Sequence, residues 1–227
     1  MMTTAIFDLD DTLYDELDYC RSGFSAVAQF LSRIPQAPSA KKVFDSLWNQ
    51  FSAGNHKTTF DAAIDDLAVP YDQKLITELI QVYRNHTPNI TLPPDSQQVL
   101  SELNAKLTLA LLTDGFLPAQ KLKVKALAIE KYFKQILYTE ELGRQFWKPS
   151  PAGFEKILHD LNADPQNAAY IADNQQKDFI APNKMGIATI QLIRPAQLHT
   201  ESSPDPYAAP QHIIYNITEL TALLVRL

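Results

Sequence analysis

Thr4-Ala5-Ile6-Phe7-Asp8-Leu9-Asp10-Asp11-Thr12-Leu13-Tyr14 is the stretch on which the reading of this chain turns. A continuous apolar run opens it, as expected of a strand covered on both faces of a parallel sheet. Three aspartates then arrive where that strand ends. Like charges a few ångströms apart repel, so such a cluster is costly without a cation, and turn formation needs one aspartate, not three. Spacing by two places Asp8 and Asp10 on the same side of an extended chain. They project into the crevice beyond the carboxyl ends of the strands, where open α/β sheets bind ligands.

Working outward, strand-length apolar runs recur at Leu107–Thr113, Gln135–Tyr138, Ala168–Ala172 and Ala188–Leu192, with a weaker one at His212–Tyr215. The first run itself is read as Thr4–Leu9. Helical segments separate them: Asp95–Lys106, Pro118–Ala128, Pro151–Leu161 and Lys177–Lys184. That alternation predicts a doubly wound parallel sheet. Residues 16–88 break the rhythm and read as helices throughout: Glu16–Ser32, Ser39–Ala53, Thr59–Leu67 and Asp72–His86, with Pro35, Pro38, Gly54 and Pro70 at the turns. The predicted organisation is therefore a discontinuous core, 1–15 and 89–227, carrying an inserted all-α domain over 16–88. Pro195–Gln211 reads as a surface loop.

Composition limits the function. The chain has 227 residues, 45% hydrophobic and 20% charged, which fits a folded globular protein. A net charge of -6 supplies no basic field for nucleic acid. A small phosphorylated substrate stays compatible, because one metal ion and one lysine reverse the field inside a cleft. The single cysteine, Cys20, excludes an internal disulfide and reads as a packing residue. No run is long enough to span a membrane and no signal peptide is apparent, so a cytoplasmic protein is expected. The five histidines show no metal-ligand spacing and read as surface or loop positions.

Other strand ends carry matching polar groups. Leu107–Leu112 runs into Thr113-Asp114-Gly115, and Ala168–Ala172 into Asp173-Asn174, with Asp178 one helical turn further on. Lys148 precedes the helix start at Pro149-Ser150-Pro151. Hard oxygen ligands of this kind suit Mg²⁺.

These four motifs, in this order, resemble the haloacid dehalogenase-like hydrolases, in the subgroup with a helical cap inserted after the first strand. The resemblance covers essentially the whole chain and implies a Rossmann-like core with a cap domain. It departs at Ala172, where the family commonly has glycine. It implies that Asp8 attacks phosphorus and becomes an aspartyl phosphate, while Asp10 serves as general acid and then general base. Mg²⁺ would be held by Asp8, the Asp10 carbonyl, Asp173 and Asp178. Thr113 with backbone N–H groups near Asp114 and Gly115 would hold phosphate oxygens, and Lys148 would offset charge on the nucleophile and the transferring phosphoryl group. The expected activity is hydrolysis of a small phosphomonoester, a sugar phosphate or nucleotide, by a monomer or homodimer. The alternatives are a phosphomutase, a 2-haloacid dehalogenase and a non-catalytic binding protein. Asn174 and Lys177 read equally as supports of the fourth motif or as helix N-terminal surface residues, and Phe146-Trp147 as a packing wedge.

Overall fold

The computed structural model describes every residue from Met1 to Leu227 and divides into two compact units. One comprises Met1–Leu17 with Thr91–Leu227, and the other Asp18–Ile90.

The first unit is built on a six-stranded parallel sheet: β1 (Thr4–Phe7), β2 (Thr108–Thr113), β3 (Gln135–Tyr138), β4 (Ala168–Ala172), β5 (Ala188–Leu192) and β6 (His212–Ile214). Its spatial order is β3-β2-β1-β4-β5-β6, so the winding reverses at β1. Register places Phe7 opposite Leu111 of β2 and Ile171 of β4. The carboxyl ends of β1, β2 and β4 therefore open together at the switch point, the crevice where such sheets bind ligands. β1 and β4 are buried along their whole length, which explains their uninterrupted apolar sequences. Around the sheet lie α5 (Pro94–Asn104), α6 (Ala119–Leu127), α7 (Ala152–Leu161), α8 (Ile180–Met185) and α9 (Leu220–Arg226). Phe154, Ile157 and Leu158 of α7 pack with Ile6, Leu112 and Tyr170 in the core.

The second unit is helical. α1 (Glu16–Leu31) enters it from the first unit, followed by α2 (Ala40–Ser52), α3 (Thr59–Asp66) and α4 (Gln73–Asn85). Phe24 sits at the middle of an aromatic cluster with Trp48, Phe51, Phe60 and Tyr83. Asp72 caps α4 by accepting from the Leu75 N–H at 2.9 Å. Cys20 is buried, as its packing role requires.

Most boundaries shift by one or two residues from the sequence expectation, and two of the shifts have a clear local cause. β1 ends at Phe7, two residues before Leu9. Asp8 N–H still pairs with Ile171 O at 2.9 Å, but Asp11 then adopts a left-handed φ of 54° and turns the chain away. The helix expected over 177–184 starts only at Ile180. Side chains hold the preceding residues in turns: Asn174 Oδ1 accepts from Gln176 N–H at 2.9 Å, and Asp178 Oδ2 from Asn174 N–H at 3.1 Å. α9 had no counterpart in the sequence reading. No helix is long and apolar enough to cross a membrane.

Candidate active site

Asp8, at the end of β1, is buried, and its Oδ1 lies 2.7 Å from Lys148 Nζ. The same ammonium reaches Asp178 Oδ1 at 2.6 Å and donates to the Tyr170 hydroxyl at 2.9 Å. Tyr170 in turn donates to Asp178 Oδ1 at 3.1 Å. Burial pushes the Asp8 carboxyl up to about 6, against the opposing pull of Lys148. Burial disfavours the charged lysine too, but Asp178 and Asp8 overcome it and hold Lys148 well above its ordinary value. Asp178 is likewise desolvated, yet Lys148 brings its carboxyl below the usual range.

Asp173, at the end of β4, completes a buried group in which carboxylate oxygens of Asp8, Asp173 and Asp178 all lie within 4.8 Å of one another. Burial, then the charges of Asp178 and Asp8, push Asp173 up to about 9. Asp173 Oδ2 is buried without a hydrogen-bond partner. An orphaned carboxylate oxygen among other carboxylates is the environment a divalent hard cation relieves, so these residues fit a Mg²⁺ ion. Asp178 is the most committed of the three, since Lys148, Tyr170 and the Asn174 N–H already occupy its oxygens. Gln191 fixes the strand end by donating to Asp173 O at 2.7 Å.

Asp10 points elsewhere. Its Oδ1 accepts from the Tyr14 hydroxyl and from Lys123 Nζ at 2.8 Å, and its Oδ2 from Gln120 Nε2 at 2.8 Å. Burial opposes its ionisation, but Lys123, Tyr14 and Gln120 together hold it below the usual carboxylate range. Gln120 Nε2 also reaches Thr113 Oγ1 at 2.6 Å, tying the acid–base candidate to the end of β2. Gly115 has a φ of 144°, and a Cβ there would stand 2.8 Å from the Gln120 side chain. A glycine is required for both reasons. The Asp114 carboxylate accepts from Thr139 Oγ1 at 2.7 Å and from the Lys148 N–H at 3.1 Å, so it holds the lysine loop in place.

A cavity of about 120 Å³ opens at this switch point, lined by Asp8, Asp10, Glu16, Asp114, Asp173, Asn174, Lys177 and His199. Sequence reasoning placed His199 among surface loop residues and left Lys177 undecided; both line the cavity. Asp11 explains the position of His199. Its carboxylate accepts from Leu198 N–H at 2.7 Å and from Glu16 N–H at 2.8 Å, which ties the 194–199 loop and the start of α1 to the aspartate turn. Arg194 adds bonds to Thr12 O at 3.1 Å and Ser96 Oγ at 2.8 Å. Gln120, Lys123 and Tyr170 were also missed. The only advance signal for the first two was the one-turn spacing on α6, which puts them on one face. Trp147 packs edge-on to Phe116, their ring centres 5.5 Å apart, in the manner of a wedge.

A buried aspartate paired with a lysine, beside a cluster of carboxylates that could hold a cation at the switch point of a doubly wound sheet, is an arrangement suited to hydrolase chemistry. The chain belongs to the haloacid dehalogenase-like hydrolase family, whose model matches residues 5–192. It is 25% identical over 210 residues to the glyceraldehyde 3-phosphate phosphatase of Methanocaldococcus jannaschii, covering 86% of each chain. It is also 25% identical over 234 residues to the human N-acylneuraminate-9-phosphatase, covering 96% of this chain and 92% of the relative. Among solved structures, the putative HAD-hydrolase YfnB from Bacillus subtilis, bound to magnesium, superposes with a TM-score of 0.69 at 19% identity over 98% of both chains.

Proposed function

We propose that the protein is a Mg²⁺-dependent phosphatase acting on a small phosphomonoester of the sugar phosphate or nucleotide class. The observation that carries this reading is the 2.7 Å pairing of Asp8 with Lys148 on a cavity of about 120 Å³, small enough to favour a phosphoryl group over a large ligand. The phosphatases among its relatives act, by their names, on phosphorylated small metabolites.

In the first step an Asp8 oxygen attacks phosphorus and the ester P–O bond breaks. Its electron pair goes to the leaving oxygen, which takes a proton from Asp10. In the second, water attacks the aspartyl phosphate, Asp10 accepts the water proton, and the Asp8–phosphorus bond breaks to give inorganic phosphate. Lys148 keeps Asp8 ionised despite burial, so the nucleophile is ready before substrate enters. Thr113 and the backbone at Asp114 and Gly115 receive phosphoryl oxygens. Asp8, the Asp10 carbonyl, Asp173 and Asp178 would hold the metal, which supplies Lewis-acid neutralisation of phosphoryl charge when bound. The helical unit Asp18–Ile90 is assigned the role of a cap that selects the leaving group.

A phosphate-ester panel assayed with Mg²⁺ tests this. Wild type should release phosphate from at least one ester, and Asp8→Asn should reduce that release to background. Undiminished turnover in Asp8→Asn would sink the mechanism. Isomerised sugar phosphate in place of free phosphate would indicate a mutase instead.

A further inference from the structure

Asp10 divides its two carboxylate oxygens between unlike partners. Oδ1 accepts from both the Tyr14 hydroxyl and Lys123 Nζ and is thereby committed. Oδ2 accepts from Gln120 Nε2 at 2.8 Å. Since Asp10 lines the cavity, Oδ2 is the oxygen left to exchange a proton with a ligand there.

The Gln120 amide is oversubscribed. It has two N–H donors, and three acceptors lie within reach of its nitrogen: Asp10 Oδ2 at 2.8 Å, Thr113 Oγ1 at 2.6 Å and Asp114 O at 2.9 Å. A carboxylate and a carbonyl can only accept, so the amide nitrogen, and not its oxygen, belongs on this side. With fewer donors than acceptors, a stronger demand at one acceptor is met at the expense of another. The rest of the residue is held firmly. Gln120 is buried, its N–H donates to Phe116 O at 3.3 Å, and Gly115 leaves open the space that a Cβ, 2.8 Å from the glutamine side chain, would take.

One of the three acceptors belongs to the phosphoryl pocket. Thr113 accepts from Gln120 and keeps its own O–H to donate. A phosphoryl oxygen that takes this O–H makes Thr113 a stronger acceptor in turn, because hydrogen bonds in a chain polarise one another. Gln120 then commits one N–H to Thr113, and Asp10 Oδ2 and Asp114 O contest the other.

We propose that Gln120 is a positioning residue that makes the placement of Asp10 Oδ2 depend on whether Thr113 holds a phosphoryl oxygen. Arrival of the phosphoryl group thereby aligns the acid–base carboxylate with the leaving oxygen. The assignment rests on the phosphatase reading above and adds to it a link between binding and proton transfer. No covalent bond forms or breaks at Gln120.

The test has two arms, one of which needs no turnover. Inorganic phosphate is titrated with Mg²⁺ into isotope-labelled protein followed by NMR, the Gln120 side-chain amide being assigned by its absence from Gln120→Met. That amide should shift as phosphate saturates wild type and shift much less in Thr113→Val. An amide that does not move in wild type, or moves equally in Thr113→Val, overturns the coupling.

The second arm compares kcat/KM for an alkyl phosphate that wild type hydrolyses with kcat/KM for p-nitrophenyl phosphate, whose leaving group needs no proton. Gln120→Met should lose roughly 10- to 100-fold on the alkyl ester and less than about threefold on p-nitrophenyl phosphate. The near-isosteric Gln120→Glu, which brings no N–H donor when ionised, should show the same contrast. Combining Thr113→Val with Gln120→Met should cost less than the product of the separate losses. A merely structural glutamine would lower both esters equally, and that result overturns the proposal, as does strict multiplication of the two losses. A phosphate-dependent amide shift in protein that hydrolyses no ester leaves the coupling standing and sinks the phosphatase reading.

Discussion

Lys148 Nζ stands between Asp8 and Asp178, 2.7 Å from one carboxylate and 2.6 Å from the other, and all three side chains are almost fully excluded from solvent. A buried cation shared by two anions behaves unlike a surface ion pair, because removing it leaves two desolvated charges without compensation.

Lys148→Met should therefore be the most destabilising of the conservative site variants. A loss of about 3–5 kcal/mol is expected on breaking such a pair, read from denaturant unfolding in EDTA. Asp8→Asn should cost less, since Lys148 keeps Asp178 as its partner. Equal stability of wild type and Lys148→Met would contradict this account.

Lys123 and Gln120 hold the Asp10 carboxylate at 2.8 Å each. Lys123 is the strongest influence drawing that carboxyl below its usual range, so Lys123→Met should move the acidic limb of the kcat profile to higher pH. A fall in kcat of about 10- to 100-fold with little change in KM is expected for mispositioned general acid–base chemistry. A profile that keeps its limb while only KM rises would place Lys123 outside the proton-transfer step.

Asp173 carries the buried oxygen that has no partner. In metal-free protein, Asp173→Asn should raise the melting temperature, because it removes a charge that Asp178 and Asp8 repel. Mg²⁺ should stabilise wild type, as any ligand of the native state does, and should fail to stabilise Asp173→Asn. Thermal scans with and without Mg²⁺ give both comparisons.

Glu16, at the start of α1, has its carboxyl pushed up to about 7 by burial and by the Asp10 charge. The folded state thus binds this proton more tightly than the unfolded chain, where the value is 4.5. Its contribution is most favourable below about 4.5 and declines as pH rises through about 7. Glu16→Gln should gain stability over wild type progressively between pH 5 and pH 8, by about 1 kcal/mol or more at the upper end. A difference that stays flat across that range would remove Glu16 from the titrating set.

Much of the core was legible in the sequence because its strands are parallel and doubly covered. β3, β4 and β5 read directly as short, largely apolar runs of the observed length. Boundaries failed where side chains compete with backbone pairing: at Asp11, whose positive φ ends β1, and at Asn174 and Asp178, whose bonds delay α8. Those competitions depend on where a side chain points, which hydrophobic periodicity does not encode.

Asp8, Asp10, Thr113, Lys148, Asp173 and Asp178 were chosen from strand ends and motif order, since acidic residues clustered after buried strands have few other uses. Their division of labour required three dimensions. Only the β3-β2-β1-β4-β5-β6 order puts the ends of β1, β2 and β4 side by side. Only packing shows that Tyr170 and Asp178 help to saturate Lys148, and that Lys123 and Gln120 claim Asp10. The sequence by itself determined which chemical groups this protein owns and the class of sheet that carries them. Tertiary structure decided which lysine is enclosed between Asp8 and Asp178 and which lines the cavity, because hydrogen-bond saturation is a property of neighbours in space.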